Sequence, residues 1–287
     1  MKVLSCILLC MMFVSCDYIF DLDVLTPNEL IEDDYRLFKN TPAWELAKAT
    51  RAGNTDKMNA IIKENPDIIN YQEPKYGQTL LMITVLRQQY KPFKVLLDNN
   101  ADVNIHNNFN ESSALTYAVD MPWNGIKFAK ALVQKGTNLN GTGNIQGSPL
   151  RCAASSGRID FVELLIENGA VINYYGEDGG SAFSDAIMLK KYEIAYLLLQ
   201  KGADYTRPIF YKNLSDSLGK GEPIYLVNCL KEDYLPSFDT QYKYKMKIVQ
   251  FLQKRGVDYW NAPVPEFIQE RIKKEHPNNW QEYIKKY

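Results

Sequence analysis

The stretch that decides the fold runs Ser148-Pro149-Leu150-Arg151-Cys152-Ala153-Ala154-Ser155-Ser156-Gly157 and continues, after three residues, as Phe161-Val162-Glu163-Leu164-Leu165-Ile166-Glu167-Asn168-Gly169-Ala170-Val171-Ile172-Asn173. Ser148 is placed to cap a helix by accepting a bond from its free amide groups, and Pro149 fits the first turn, where its missing N–H costs nothing. Ala153 and Ala154 are small enough to let a neighbouring helix approach. Gly157 and Gly169 are the kind of residue that ends a helix in a left-handed backbone. Phe161, Val162, Leu164 and Leu165 recur at helical spacing and form an apolar stripe on a second helix. The stretch therefore reads as two short antiparallel helices, and neither can bury its apolar face alone.

Outward from it, the same markers return. Thr79, Ser113, Ser148 and Ser181 follow one another at intervals of 34, 35 and 33 residues, and Asn70, Asn104, Asn140, Asn173 and Thr206 at 34, 36, 33 and 33. Two independent markers that keep one period define a repeat, and repeats of this length stack so that each buries its neighbour's stripe. Thr79-Leu80-Leu81 with Leu96-Leu97 and Ala101-Asp102-Val103-Asn104 is a second copy. Ser181-Ala182-Phe183 with Leu197-Leu198-Leu199 and Gly202-Ala203-Asp204 is a third.

These residues resemble the ankyrin family, whose pattern runs Thr-Pro-Leu-His-x-Ala-Ala-x-x-Gly and then Val-x-x-Leu-Leu-x-x-Gly-Ala-x-x-Asn. The resemblance implies an all-α solenoid of about six helix-pair repeats over residues 42–258, with a C-terminal helical cap over 259–287. It also implies a concave surface, made by the finger tips and the first helices, on which a protein partner lies. Several departures stand out. The motif histidine is absent, and Met82, Thr116, Arg151, Ser184 and Tyr225 are read at its place. The unit at Ser113 has two extra residues around Met121 to Gly125. The connection from Arg207 to Gly221 is long, and the last unit, read from Glu222 to Gly256, holds an insertion of 13 residues, roughly Lys231 to Lys243. The first unit, Trp44 to Asn70, reads as an N-terminal cap.

The start of the chain speaks to compartment. Met1-Lys2 is a short basic start, and Val3 to Val14 is an apolar run too short to span a bilayer. It ends in Phe13-Val14-Ser15-Cys16, which resembles the lipobox of bacterial lipoproteins, with Val14 and Phe13 as departures from that pattern. The resemblance implies a signal peptide over 1–15, acylation of Cys16, and localisation in the bacterial cell envelope on a lipid anchor. Residues 17–40 carry seven acids against two bases and are expected to complete, with Cys16, an acidic tether over 16–41, partly extended and helical near Asn28 to Phe38. Asp17 after the cysteine leaves inner and outer membrane open.

With 46% apolar and 23% charged residues and a net charge of -1, the composition is globular and does not point to nucleic acid as a partner. Of five cysteines, Cys6 and Cys10 leave with the signal and Cys16 carries lipid. Cys152 and Cys229 fall two repeats apart, too far for a disulfide, and read as buried apolar groups. The only histidines, His106 and His276, are too few and too far apart for a metal site or a triad, so no catalytic residue, metal or cofactor is expected. The glycines of Gly141-Thr142-Gly143-Asn144 and of Gly176 to Gly180 lack the lysine of a phosphate loop and read as finger turns.

Binding is the chemistry the sequence favours. The expected partner-binding residues are the aromatics of the fingers, Tyr71, Tyr76, Phe109, Tyr174, Tyr175, Phe210 and Tyr211, since such rings give large contact area and a polar handle. Two roles remain open: a tethered module that holds a protein in the envelope, and an immunity protein or inhibitor that neutralises a secreted toxin or lipase in the periplasm.

Overall fold

The computed structural model describes residues 30–121, 123–141, 148–212, 221–235 and 238–286. The signal peptide and Cys16 lie outside them, as do residues 142–147 of the first glycine-rich finger. The chain divides into two compact units, Met1–Phe109 and Asn110–Tyr287.

In unit 1, a 3-10 turn at Tyr35–Phe38 precedes α1 (Trp44–Arg51) and α2 (Thr55–Glu64), then a 3-10 turn at Pro66–Asn70 precedes α3 (Leu80–Leu86) and α4 (Tyr90–Asp98). Unit 2 holds three helix pairs of the same kind: α5 (Ala114–Asp120) with α6 (Gly125–Gln134), α7 (Pro149–Ser155) with α8 (Ile159–Glu167), and α9 (Ala182–Met188) with α10 (Tyr192–Gln200). A short antiparallel hairpin follows, β1 (Phe210–Lys212) on β2 (Glu222–Ile224), with Tyr211 opposite Pro223. A last pair, α11 (Leu226–Glu232) and α12 (Thr240–Gln253), leads to the closing helices α13 (Glu266–Glu275) and α14 (Trp280–Lys286). The helix-pair repeats expected from the sequence are therefore present, with the hairpin as an addition to an otherwise all-α plan.

The recurring markers have visible jobs. Thr79, Ser113 and Ser181 accept from the backbone N–H groups of Met82, Thr116 and Ser184 at 3.3, 3.3 and 3.1 Å. The recurring asparagine ties one repeat to the next. Asn70 Oδ1 accepts from the Asp102 N–H, Asn140 Oδ1 from that of Val171 and Asn173 Oδ1 from that of Asp204, each at 2.8 Å. At the fifth marker position stands Thr206, which donates to the Asp204 carboxylate of its own turn at 2.6 Å. First helices are buried almost all round; Ala118, Ala153, Ala154 and Ala186 are fully covered, as close helix approach demands. Second helices bury one stripe, with Phe161, Val162 and Leu165 inside and Glu163 and Glu167 in water.

Three expectations change. Glu222, Pro223 and Ile224 do not open the last first helix but form β2, and Tyr225 is the cap residue. The position equivalent to the motif histidine is then Asn228, whose Oδ1 accepts from the Tyr225 N–H at 3.1 Å. The insertion read over Lys231 to Lys243 is taken up in part by the helices: Lys231 and Asp233 are buried, and Thr240 to Lys243 already belong to α12, which has 14 residues where α8 and α10 have nine. The helical part of the expected tether is present as the 3-10 turn Tyr35–Phe38, but it is not a free linker, because Leu30, Tyr35, Leu37 and Phe38 are buried in unit 1.

Candidate interaction surfaces

The finger of the second repeat is built around a buried carboxylate. Glu73 Oε1 accepts from the N–H groups of Tyr76 and Gln78 at 2.8 and 2.9 Å, and Oε2 from that of Lys75 at 2.7 Å. Gly77 sits at φ +73° with the Asn108 side chain and backbone 2.8 Å from where a Cβ would lie, so the loop closes only over glycine. This geometry presents Lys75 and Tyr76 side by side, and both donate to the Leu30 carbonyl, at 2.8 and 3.1 Å.

From Leu30 the chain runs along this repeat to the far end of α3. Gln78 Nε2 donates to Glu32 at 3.4 Å, Arg87 Nε donates to the Asp33 carbonyl at 2.9 Å, and Arg87 Nη2 reaches the Asp33 carboxylate at 3.1 Å. The Tyr35 hydroxyl donates to Gln89 Oε1, and burial pushes that phenol well above its usual range. Phe38 then packs on Tyr71, ring centres 6.4 Å apart. Of the binding residues expected in this unit, Tyr71 and Tyr76 are thus half-buried and engaged by residues 30–38, while Phe109, edge-on to Tyr76 at 5.7 Å, is 67% exposed.

In unit 2, Tyr174, Tyr175 and Phe210 are half-buried and Tyr211 is 51% exposed. The Tyr175 hydroxyl donates to Asp204 at 3.3 Å, and the Arg207 guanidinium lies 4.1 Å over its ring. Hydrogen bonds from Thr206 hold the Asp204 carboxyl below the usual range, which keeps that acceptor charged. Among the described residues no ring pairing links Tyr174 or Tyr175 to Phe210 or Tyr211. The sequence reading passed over other exposed apolar groups: Met188 and Leu189 at the end of α9, 53% and 52% exposed, and Tyr225 at the start of α11, 45% exposed. A signal was there, since Met188-Leu189 stands where the Ser148 unit has Ser155-Ser156.

Charged side chains add further ties between repeats. Arg151, almost fully buried, donates from Nε to Asp185 at 2.7 Å and from Nη1 and Nη2 to Asp178 at 2.8 Å. Asp233 accepts from Lys190 Nζ at 2.5 Å and from the Tyr192 hydroxyl at 2.7 Å, and its carbonyl accepts from Lys245 Nζ at 2.5 Å. The Lys231 ammonium sits 4.3 Å over the Tyr259 ring.

The candidates for chemistry are in structural use. Cys152 Sγ donates to Asp120 Oδ1 at 3.0 Å, and burial pushes its thiol far above the usual range; burial takes the Cys229 thiol up to about 12. A thiol so held protonated is a poor nucleophile. His276 meets the Tyr234 hydroxyl at 3.0 Å and stacks on Tyr283 at 3.7 Å inside the C-terminal cap. Among the described residues no group of three His, Cys, Asp or Glu is placed to hold a metal ion, and no helix is long and apolar enough to cross a membrane.

A family model described as ankyrin repeats (3 copies) matches residues 46–142 and 115–209, a span that stops just before the β1–β2 hairpin. No curated protein matches the chain. The match covers more than half of the chain and falls on the helix pairs whose caps and asparagine ladder set the period, so the chain belongs to the ankyrin-repeat family.

Proposed function

We propose that this protein is a non-catalytic binding module of the bacterial cell envelope, tethered to a membrane through acylated Cys16 and holding a protein partner. Ankyrin repeats are a protein–protein interaction module, and that much follows from the family. The observation that carries the finer reading is in unit 2, where Met188, Leu189, Tyr211 and Tyr225 are each between 45% and 53% exposed. Met188 and Leu189 close α9, Tyr225 opens α11, and Tyr211 stands on the hairpin that leads into α11. Large apolar groups left open on elements of successive repeats, here at the end of α9 and at the start of α11, mark surfaces that a partner can cover. Interface energy concentrates in such anchors, tyrosine above all. Envelope tethering is supported by the apolar run that ends in Ser15-Cys16.

The test is capture from envelope extracts by chemical cross-linking, with wild-type protein beside Met188→Ser and Tyr211→Ala. Each substitution is expected to lower recovery of the same cross-linked partner by about tenfold, the effect of losing one interface anchor. Equal recovery with both variants, folded as judged by circular dichroism, overturns this placement of the site.

A further inference from the structure

Residues 30–34 lie on the second repeat, and the direction of the side-chain contacts between them and it, among the described residues, says what a partner there would offer. Lys75, Tyr76, Gln78 and Arg87 all donate, and the segment answers with the Leu30 carbonyl, the Glu32 carboxylate, and the carbonyl and carboxylate of Asp33. The surface is therefore a row of donors, two of them cationic, laid from the finger tip to the end of α3. Its complement is an acidic stretch of backbone rich in acceptors, which in Leu30–Asp34 is presented by a turn at Glu32–Asp33 closed by the Asp34 N–H on the Ile31 carbonyl.

The segment is held in two unlike ways. Tyr35, Leu37 and Phe38 are buried, and Phe38 has no exposed surface at all, so this part belongs to the core of unit 1. Before it, Glu32 and Asp33 are half-buried and Ile31 is 63% exposed, with Leu30 as the one buried apolar contact. Apart from Leu30, this part is held by polar contacts, among them the Arg87–Asp33 ion pair, which is open to water and of a kind that adds little stability. One end of the strap is thus fixed and the other lightly attached.

We propose that Leu30–Asp34 is a latch, an intramolecular ligand that covers the donor row of unit 1 and is displaced by an acidic, turn-forming segment of a partner protein. This deepens the binding reading above and rests on it, but adds a second surface with a stated chemistry and a built-in competitor. Affinity for the displacing segment is reduced by the fraction of time the latch is shut. The Tyr35–Phe38 anchor keeps the latch at high local concentration, so it closes again when the partner leaves.

The probe is a fluorescein-labelled peptide with the sequence of residues 27–34, titrated by anisotropy against the full chain. With the latch shut about nine-tenths of the time, opening it by Asp33→Arg in the protein should tighten peptide binding about tenfold. Adding Arg87→Gln to the opened chain, which removes the cation without recreating an ion pair with position 33, should remove binding. Equal affinity for wild-type and opened protein, or binding that survives Arg87→Gln, overturns the latch. Hydrogen exchange on the unaltered chain gives an arm independent of any variant. The Asp34 amide, bonded to Ile31, should exchange faster than the Leu37 and Lys39 amides, bonded to Asp34 and Arg36. Exchange of all three at one rate means the strap opens only with the core, and it too overturns the proposal. Neither arm uses the partner captured through unit 2, so failure here leaves the proposed function standing, and loss of that capture leaves the latch untouched.

Discussion

Arg151 Nε donates to Asp185 Oδ2 at 2.7 Å, joining α7 to α9 of the next repeat at the position where the ankyrin pattern carries a histidine. Both side chains are buried, whereas Asp178, the second acceptor of the guanidinium, is half open to water. Removing the cation strands the Asp185 carboxyl, which burial already pushes above the usual carboxylate range. Arg151→Ala should therefore cost about 3–5 kcal/mol in urea unfolding, the usual cost of breaking a buried pair. Arg151→Met with Asp185→Leu should recover most of that loss, because no uncompensated charge remains. A loss below about 1 kcal/mol for Arg151→Ala would reduce the pair to the rank of a surface ion pair.

Lys245 predicts a pH dependence. Burial draws its ammonium down to about 8, although its Nζ donates to the Asp233 carbonyl and the Asp233 carboxylate is near. An unfolded lysine titrates near about 10.4, so between about pH 8 and pH 10 the unfolded chain binds more protons and stability rises with pH. Below about pH 8 both states are protonated and the cost of burying the charge, on the order of 3 kcal/mol, is fully present. The melting temperature should climb from pH 8 to pH 10, and Lys245→Met should flatten the climb. A profile unchanged by that substitution would refute the assignment to Lys245.

The turn between first and second helix takes a left-handed residue in several repeats. Gly53 and Gly157 fill it at φ +68° and +76°, but Gln88 and Lys190 hold it at +55° and +57°. A side chain there costs roughly 1–2 kcal/mol, against roughly 0.5–1 kcal/mol of extra unfolded-state entropy for glycine. Gln88→Gly should raise the denaturation midpoint slightly. Lys190→Gly should lower it, because Lys190 also neutralises buried Asp233. Opposite signs at two positions of one backbone type are the signature to look for.

Cys16→Ala should leave an uncut precursor or a soluble form that no longer enters the detergent phase and takes up no labelled palmitate. Unchanged partitioning of a mature protein would remove the lipid anchor from the proposed function.

The repeat was legible because it depends on local chemistry copied several times. Caps at Thr79, Ser113 and Ser181, glycines at Gly157 and Gly169, and leucine stripes each act within a few residues of themselves, so their spacing carries the architecture. The asparagine marker was visible as a period, while its role as an inter-repeat tie was not. The last repeat was misread because Glu222-Pro223-Ile224 looks like the opening of a first helix and is instead drawn into a strand by pairing with Phe210–Lys212. The aromatics were legible as fingers but not as a surface. Tyr76 and Tyr175 expose less than their place in the sequence implies, since Leu30 and Arg207 reach them from elsewhere in the chain.

The sequence by itself determined the period, the helix-pair unit and the family, because each follows from short-range bonds and from apolar spacing along single helices. Only the tertiary structure decided which faces stay open. Residues 30–34 settle on a donor row whose parts lie more than forty positions further on, Arg151 finds one of its carboxylates a full repeat away, and Met188 and Leu189 emerge as exposed. Exposure is a sum over everything packed against a side chain, and most of what packs here arrives from distant parts of the sequence, whose approach no local pattern encodes.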